Sequence, residues 1–384
     1  MSAPAGRGPL AGVRVIELAG IGPGPFAAML LADLGADVVR VDRLGARPVV
    51  ERRIEVNGRT RRSIAVDLKS PRGRELVLRM VADADALIEG MRPGVTERLG
   101  LGPDDCLAVN PALVYGRITG WGQDGPYAQT AGHDITYLAV TGGLHAVGHG
   151  DRPPVPPVNI IGDFGGGGMY LAFGIVAAVL RARATGEGDV VDASIVDGVA
   201  SLFGMMRGFL HDGTWVDRRE SNFMDGGAPY YRAYRCADGR DVAVGAIERH
   251  FWDVLIERIG LSGDPRMAAR DDRTRWPELI AALDAHFATR PRDEWVALTA
   301  GTDACLAPVL TFEESLHDPQ LRARGAFSEV GGIWHPAPAP RFARAGTTPP
   351  RPAPEIGENT DDLLAWLGLD AGEIADLRGE GVVG

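Results

Sequence analysis

The sequence is poor in cysteine and lacks a long hydrophobic run. Its three cysteines, Cys106, Cys236 and Cys305, are too few and too far apart for a disulfide framework or a CxxC metal pair. The longest apolar stretch, 169–180, is shorter than the roughly 20 residues that cross a bilayer. Residues 1–9 lack the apolar core of a signal peptide. These absences predict a cytoplasmic protein with no metal site and no membrane partner.

The charge and length narrow the possibilities further. The formal net charge is -11, which argues against nucleic acid or an anionic membrane as the main partner. Hydrophobic residues make up 45% of the chain and charged residues 24%, values typical of a folded globular protein. At 384 residues the chain is longer than one hydrophobic core usually supports, so we expect more than one domain.

The first half of the chain alternates short β-branched runs with helical patterns. This alternation is typical of an open α/β sheet with ligand loops at the ends of its strands. The predicted strands are 13–18, 37–41, 63–68, 86–89, 113–118 and 190–194. The predicted helices include 25–34, 71–84, 169–183 and 195–210. The charged segment 51–62 is expected to be an exposed loop.

The sequence pattern changes near residue 226, which suggests a second domain. A hairpin pattern at 230–245 is followed by several helical stretches, which predicts a small α+β domain. We therefore expect a large α/β domain at 1–225, a small domain at 226–325, and a proline-rich C-terminal segment at 326–384 that returns to the large domain.

One motif favours a nicotinamide cofactor but does so weakly. Residues 22–27 match the G-x-G-x-x-A dinucleotide pattern, and Asp42 stands where the ribose-binding acid would be. Pro23 and Pro25, however, remove backbone N–H groups from the loop that should bind the pyrophosphate. Hydride transfer is therefore the weaker of the possible chemistries.

Two apolar-flanked turns carry the candidate reactive groups. His133 stands in Gly-His-Asp, and Asp163 stands before Phe164 and the four glycines 165–168. A histidine and a carboxylate can each take and return a proton near neutral pH. The residues alone leave open a structural alternative, in which Asp163 caps a helix that starts near Met169 and His133 is a core histidine.

Motifs along nearly the whole chain resemble those of the α-methylacyl-CoA racemase family, within the class III (family III) CoA-transferase superfamily. In chain order they are Gly22-Pro23-Gly24-Pro25, Ala36–Arg43, Arg92–Leu99, Gly132-His133-Asp134, Gly162–Gly167 and Gly245–Glu248. The resemblance implies a Rossmann-like large domain built from both chain ends, a small α+β domain and an interlocked homodimer. It also implies that the substrate is an acyl-CoA thioester, with no cofactor beyond the coenzyme A that the substrate carries.

The resemblance assigns roles to individual residues. It implies that His133 and Asp163 exchange the α-proton of a 2-methylacyl-CoA through an enolate, and that Glu248 supports the imidazole. Backbone N–H groups around Asp163 and 165–168 are expected to bind the enolate oxygen. It further implies that coenzyme A is bound by Arg43, Ala65, Val66, Asp67, Leu68, Lys69, Gly90, Met91, Arg92, Arg98, Gly132, Asp134, Ile135, Thr136 and Tyr137. Asp134 could instead hold its loop.

Two other functions fit parts of this pattern. A CoA-transferase of the same superfamily would use Asp163 as a nucleophile that forms an acyl anhydride and then a CoA thioester. A non-catalytic acyl-CoA-binding protein would keep the arginines and have no use for His133 and Asp163. The acyl chain, which base serves which epimer, and whether Glu248 acts in the same subunit or across the dimer stay open.

Overall fold

The computed structural model describes residues 7–47, 51 and 54–384. Contacts divide the chain into two compact units. Unit 1 comprises Met1–Thr141, Val158–Leu202 and Arg322–Gly384, and unit 2 comprises Gly142–Pro157 and Phe203–Leu321. These units differ from the sequence-based bounds of 1–225, 226–325 and 326–384 at 142–157, 203–225 and 322–325, so the domain bounds stay a prediction.

Unit 1 is built on a parallel six-stranded sheet, and this confirms the predicted α/β fold. The strand order is β3-β2-β1-β4-β5-β6, so the order reverses between β1 and β4. In open sheets of this kind ligands bind at the carboxyl ends of the strands next to that reversal. The strands are β1 Arg14–Leu18, β2 Asp37–Arg43, β3 Arg62–Val66, β4 Ala86–Glu89, β5 Val114–Thr119 and β6 Asp189–Ser194.

Helices cover this sheet and follow the predicted alternation closely. The helices α1, α2 and α4 each begin at or next to a proline, a residue suited to a first helical turn. Their bounds are α1 Pro23–Asp33, α2 Pro71–Ala82, α3 Val95–Arg98, α4 Pro103–Val109, α5 Asp134–Thr141, α6 Met169–Thr185 and α7 Ile195–Leu202.

The C-terminal segment packs against the edge of the same sheet. It contains the antiparallel hairpin of β10 Phe327–Val330 and β11 Ile333–Pro336, then α14 Thr360–Trp366 and α15 Ala371–Gly379. Val383 pairs with Val66 of β3, and the Asp67 backbone N–H donates to the Val382 carbonyl at 2.8 Å. The last residues of the chain therefore fix the segment that follows β3.

A π-helix at Ile160–Gly168 runs directly into α6. The sequence predicts a glycine turn followed by a helix from Met169, which is wrong because 160–185 is one continuous helix of 26 residues. This helix is long and apolar enough to cross a membrane by length and composition alone, although buried core helices pass the same test. Phe173 and Leu180 on it are 75% and 73% exposed.

Unit 2 contains the predicted hairpin, extended by a third strand. The strands β7 Tyr231–Arg235, β8 Asp241–Gly245 and β9 Leu306–Pro308 form an antiparallel sheet in the order β7-β8-β9. Its helices are α8 Gly204–His211, α9 Arg249–Arg258, α10 Trp276–Phe287, α11 Arg292–Thr299 and α12 Phe312–Ser315, and α13 Pro319–Ala323 lies at its border with unit 1. The predicted single helix 195–210 is interrupted at Phe203.

Candidate active site

A cleft of about 630 Å³ lies at the carboxyl ends of β1, β2, β3 and β4, beside the reversal of strand order. The segment after β1 and the ends of β2 and β3 form its walls. The lining residues are Ala19, Gly20, Ile21, Gly22, Pro25, Val41, Asp42, Arg43, Ala46, Arg47, Glu55, Asn57, Asp67, Leu68, Lys69, Met91, Val95 and Leu99.

Five of the residues expected to bind coenzyme A line this cleft: Arg43, Asp67, Leu68, Lys69 and Met91. Arg43 and Lys69, together with Arg47, place three cationic side chains around it, beside the three carboxylates of Asp42, Glu55 and Asp67. Guanidinium and ammonium groups are suited to bind phosphate, so the cleft can receive the phosphates of a nucleotide.

The other expected coenzyme A residues lie elsewhere in unit 1. Ala65 and Val66 are the last two residues of β3 and are buried. The segment that lines the cleft begins at the next residue, Asp67. Arg92 and Arg98 are exposed and belong to the loop after β4 and to α3. The segment that includes Gly132, Ile135, Thr136 and Tyr137 lies at the start of α5.

Buried ion pairs underlie the cleft. Asp42 Oδ2 accepts hydrogen bonds from Arg40 Nε at 2.9 Å and from the Ser63 hydroxyl at 2.6 Å, so its carboxylate is engaged within the sheet. Arg59 pairs with Asp33 at 2.5 Å, and Arg61 pairs with Glu17 at 3.0 Å. The expectation that 51–62 is an exposed loop is therefore wrong for these arginines, while Arg52 and Arg53 lie outside the described residues.

A second buried network holds the loop after β4. Arg117 on β5 pairs with Glu89 and with Glu97, each at 2.8 Å. The other oxygen of Glu89 accepts the Met91 backbone N–H at 2.7 Å. This network joins the wall of the cleft at Met91 to the start of α3.

His133 precedes α5 and is exposed. Its backbone carbonyl accepts the Thr136 backbone N–H at 2.8 Å and the Thr136 hydroxyl at 2.7 Å, and its own N–H bonds to that hydroxyl oxygen at 3.0 Å. These bonds use the backbone alone. The imidazole is therefore held at the entrance of a helix with its ring accessible, which is not the core histidine of the structural alternative.

Asp163 lies in the first turn of the π-helix and is half-buried. Its backbone N–H donates to Asp134 Oδ2 at 2.7 Å, and the Gly162 N–H donates to the same carboxyl. Asp134 therefore holds the π-helix, as the sequence allowed. The Asp163 N–H, which was expected to bind the enolate oxygen, is occupied in this structure by Asp134.

The surroundings of Asp163 favour its protonated form. Burial raises the pKa of its carboxyl above the usual range; the Asn159 amide lowers it by a hydrogen bond of 3.4 Å, the Asp134 charge raises it and the His133 charge lowers it. His133 directly precedes Asp134, whose carboxylate accepts the Asp163 N–H at 2.7 Å, so the histidine and Asp163 stand on adjoining segments. A carboxyl with a raised pKa can act as an acid closer to neutral pH.

Close packing explains the glycines around Asp163. A Cβ on Gly166 would lie 2.9 Å from the Val199 backbone nitrogen, and one on Gly198 would lie 1.8 Å from the Gly166 carbonyl oxygen. The π-helix and α7 can therefore approach only because both positions lack side chains. On the opposite side Phe164 stacks on Phe26 of α1, with ring centroids 4.5 Å apart.

Glu248 belongs to unit 2, where it is the exposed N-cap residue of α9, in the short turn that follows β8. Burial, followed by the Glu248 charge, raises the pKa of the Cys305 thiol, so the carboxylate lies near that exposed cysteine. In the described ranges 7–47, 51 and 54–384, no group of three His, Cys, Asp or Glu side chains could hold a metal ion.

Sequence reasoning missed several residues of the site. Arg47, Glu55 and Asn57 line the cleft, and Asn159 bonds to the Asp163 carboxylate. Arg47 follows Arg43 by four residues in a stretch without secondary structure, where spacing gives no indication of direction. Asn159 stands four residues before Asp163, a spacing that indicates contact only once the segment is known to be helical.

A doubly wound sheet with a cleft at the carboxyl ends of its strands, an exposed histidine and a half-buried carboxyl with a raised pKa define an α/β protein that carries groups suited to proton transfer. The chain belongs to CoA-transferase family III, which it matches over residues 10–360.

Relatives within this family differ in chemistry. The chain is 42% identical to the α-methylacyl-CoA racemase of Mus musculus over 97% of each chain. It is 31% identical to the succinyl-CoA:glutarate CoA-transferase of the same organism, over 98% of this chain and 90% of the relative. A CAIB/BAIF family protein from Brucella suis has a similar structure, with a TM-score of 0.81 and 28% identity over 94% of this chain and all of that one.

Proposed function

We propose that the protein is an isomerase that epimerises 2-methylacyl-CoA thioesters at the α-carbon. The single observation that carries the proposal is the pairing of His133 with Asp163, whose pKa is raised chiefly by burial, in a chain 42% identical to a racemase over nearly its full length. Removing a proton from one face and returning one to the other requires two such groups.

The steps follow from the residues. One group, as a base, takes the α-proton and leaves an enolate of the thioester; the other, as an acid, returns a proton to the opposite face. Asp163 suits the acid because its surroundings favour protonation, and His133 suits the base because its ring is exposed. Proton transfer between these groups needs no cofactor beyond the coenzyme A of the substrate.

Coenzyme A is proposed to lie in the cleft of unit 1. Arg43, Arg47 and Lys69 supply charge for its phosphates, and Leu68 and Met91 supply apolar surface. The acyl end would then extend toward Asp163, because Gly22 lines the cleft and a Cβ on Gly22 would lie 3.3 Å from Asp163 Oδ2.

A homodimer is part of the proposal, and an apolar stripe on α6 supports it. Met169, Phe173, Val176 and Leu180 are exposed and recur at the spacing of one helical face. A second copy of the chain is the partner that the family resemblance implies. The cytoplasm is the proposed location, since the free cysteines fit a reducing compartment.

This self-association can be tested directly. Because interlocked chains separate only by unfolding, Phe173→Glu and Leu180→Glu should lower the fraction of dimer that forms on refolding from urea, measured by analytical ultracentrifugation, with Phe312→Glu as the control on an exposed residue of α12. A monomeric wild type would overturn the dimer. Cosedimentation of the wild type with phospholipid vesicles, lost in the same variants, would instead assign the stripe to a membrane.

Deuterium exchange tests the reaction. One epimer of a 2-methylacyl-CoA incubated with the enzyme in deuterated water should give both epimers with deuterium at the α-carbon. His133→Ala should reduce exchange from one epimer more than from the other, whereas His317→Ala, which alters an exposed histidine of unit 2, should leave both unchanged. Retained configuration and retained protium in the wild type would exclude the epimerisation.

CoA transfer is the second candidate, since the family includes the transferase relatives and Asp163 is also positioned to be a nucleophile. It predicts an aspartyl thioester or anhydride on Asp163 that hydroxylamine cleaves during turnover with an acceptor acid. A chain that forms no such adduct and exchanges its α-proton is a racemase.

A further inference from the structure

The turn that carries Glu248 is short and lies entirely in unit 2. It consists of Ala246, Ile247 and Glu248, between the last residue of β8 and the first residue of α9. The Gly245 N–H donates to the Cys305 carbonyl at 2.9 Å, and the Trp252 N–H donates to the Glu248 carbonyl at 3.1 Å. The Ile247 N–H donates to the Gly245 carbonyl at 3.0 Å, so backbone bonds engage the N–H groups of the turn, while the Ala246 and Ile247 carbonyls bond to a side chain.

That side chain is Arg270. Its Nη1 donates to the Ala246 carbonyl at 3.4 Å, and its Nη2 donates to the Ile247 carbonyl. These are the two residues immediately before Glu248. A planar guanidinium can donate in parallel to two successive carbonyls, which an ammonium group cannot do.

The Arg270 guanidinium is itself tightly enclosed. It lies 4.1 Å from the centroid of the Tyr230 ring and 5.6 Å from that of Trp252, and only 3% of Arg270 is exposed. The Trp276 indole N–H donates to the Arg270 backbone carbonyl at 2.7 Å. Stacking on aromatic faces fixes the plane of the guanidinium and therefore the direction of its N–H groups.

The next residue holds the other side of the turn. Asp271 accepts from Arg249 Nη1 at 3.3 Å, and Arg249 directly follows Glu248. Asp271 also pairs with Arg270 Nε at 3.1 Å, although Asp271 is mostly exposed. The pair 270–271 therefore contacts residues 246, 247 and 249, on both sides of Glu248.

We infer that Arg270 is a positioning residue that fixes the carboxylate of Glu248 through the backbone of its turn. A buried cation without a buried carboxylate is an expensive way to fill a core, since apolar side chains of similar size would avoid the desolvation cost. The fork to two carbonyls accounts for its presence. The inference rests on the proposed function, in which Glu248 supports the His133 imidazole.

Cys305 provides a reporter that does not require turnover. It is exposed, whereas Cys106 and Cys236 are buried, and its thiol senses the Glu248 charge as well as its own burial. Because the charge raises the thiol pKa, Glu248→Gln should lower that pKa and accelerate modification by 5,5′-dithiobis(2-nitrobenzoate) at pH 8 by about twofold. Cys305→Ser removes this thiol, so loss of the reaction in that variant shows that the signal comes from Cys305.

The test compares Arg270→Lys with Arg273→Lys. Arg273 is exposed, unlike Arg270, but it shares the chemistry of the contact: it lies 5.5 Å from the Trp276 centroid and donates to a backbone carbonyl, that of Thr214. Arg270→Lys should accelerate Cys305 modification as Glu248→Gln does, should add nothing in the Glu248→Gln background, and should differ from Arg273→Lys, which should match the wild type. Arg270→Gln serves if the lysine variant does not fold.

The kinetic readout follows the same logic. Arg270→Lys should lower kcat for α-proton exchange by about as much as Glu248→Gln, with the KM for the thioester unchanged and no further loss in the double variant. Wild-type thiol kinetics in Arg270→Lys would overturn the inference where Glu248→Gln gives the expected acceleration, and additive losses of kcat in the double variant would overturn it in any case. Failure of the proposed function would appear separately, as absent exchange in a wild type whose thiol readout behaves as expected.

Discussion

Asp163 and Glu248 are two carboxylates that the chain holds in different ways. Asp163 is carried by a π-helix whose glycines pack against α7 and whose backbone donates to Asp134. Glu248 stands on a three-residue turn that Arg270 fixes by two hydrogen bonds from its side chain. The first arrangement tolerates no added atom, and the second depends on the geometry of one guanidinium. The proposed acid is thus built into a helix, and the proposed supporting group is held in place by a side chain outside its turn.

The largest effect is expected at the helix-borne carboxylate. Asp163→Asn keeps the shape of the side chain and removes the proton that it transfers, so α-proton exchange should fall by about 10³-fold, within the range of general acid–base catalysis. Deuterium incorporation measured by mass spectrometry checks this. Asp192→Asn, which alters an exposed carboxylate of unit 1 that also accepts a hydrogen bond, should retain most activity, and equal losses in both would remove the special role of Asp163.

Packing of the π-helix gives the next largest effect. In Gly198→Ala the new Cβ would lie 1.8 Å from the Gly166 carbonyl oxygen, so the π-helix and α7 must separate, at a cost of about 1–3 kcal/mol in unfolding free energy. Gly208→Ala on α8 is the control, since nothing lies within 4 Å of its Cβ. It should be neutral or slightly stabilising. Urea unfolding distinguishes the two, and equal stabilities would contradict the close approach.

Asp134 should show a smaller effect on activity and a change in pH dependence. Asp134→Asn removes a charge that raises the pKa of Asp163 and weakens the acceptor for two backbone N–H groups. Exchange should fall by about tenfold, and the pH limb of Asp163 should move to lower pH. The control is Asp67→Asn, which alters a carboxylate that lines the proposed coenzyme A cleft. This variant should not move the pH limb, whether or not KM rises. If this pH limb does not move in Asp134→Asn, the charge of Asp134 does not influence the pKa of Asp163.

The contrast between the two carboxylates also marks what the sequence could predict. The strands and helices of unit 1 follow from β-branched runs that alternate with proline-started helices, and their bounds differ from prediction by one to three residues at most ends. His133 and Asp163 were found because Gly-His-Asp and the glycine run belong to a family pattern. Their electrostatic proximity depends on the fold.

Other features could not be read from residue order. Four successive glycines are compatible with either a turn or a π-helix. The π-helix is favoured here because the glycines pack closely against α7, and residue order does not reveal that packing. Arg59 and Arg61 appear in a charged stretch typical of a loop, and they are buried because Asp33 and Glu17, far away in sequence, pair with them. Arg270 gave no signal, since its partners are backbone carbonyls and aromatic faces.

The smallest expected effect concerns the pH dependence of stability, which should have opposite signs for Asp163 and for Glu314 of unit 2. Burial raises the pKa of Asp163, so its stabilising contribution is present below the unfolded carboxyl pKa and is lost as pH rises through the folded value. Asp163→Asn should therefore be more stable than the wild type at pH 7, with the difference vanishing below the unfolded carboxyl pKa of about 4.

Glu314 of unit 2 should behave in the opposite way, because an arginine holds it. The hydrogen bond from Arg292 lowers the pKa of Glu314 to about 2, so its contribution is present above the unfolded carboxyl pKa and is lost as pH falls toward 2. Glu314→Gln should lower the melting temperature at pH 7 and converge with the wild type in acid. Thermal unfolding from pH 3 to 8 checks both variants. If both substitutions changed the stability at pH 7 in the same direction, burial at Asp163 and the Arg292 hydrogen bond at Glu314 would not have the opposite effects expected of them.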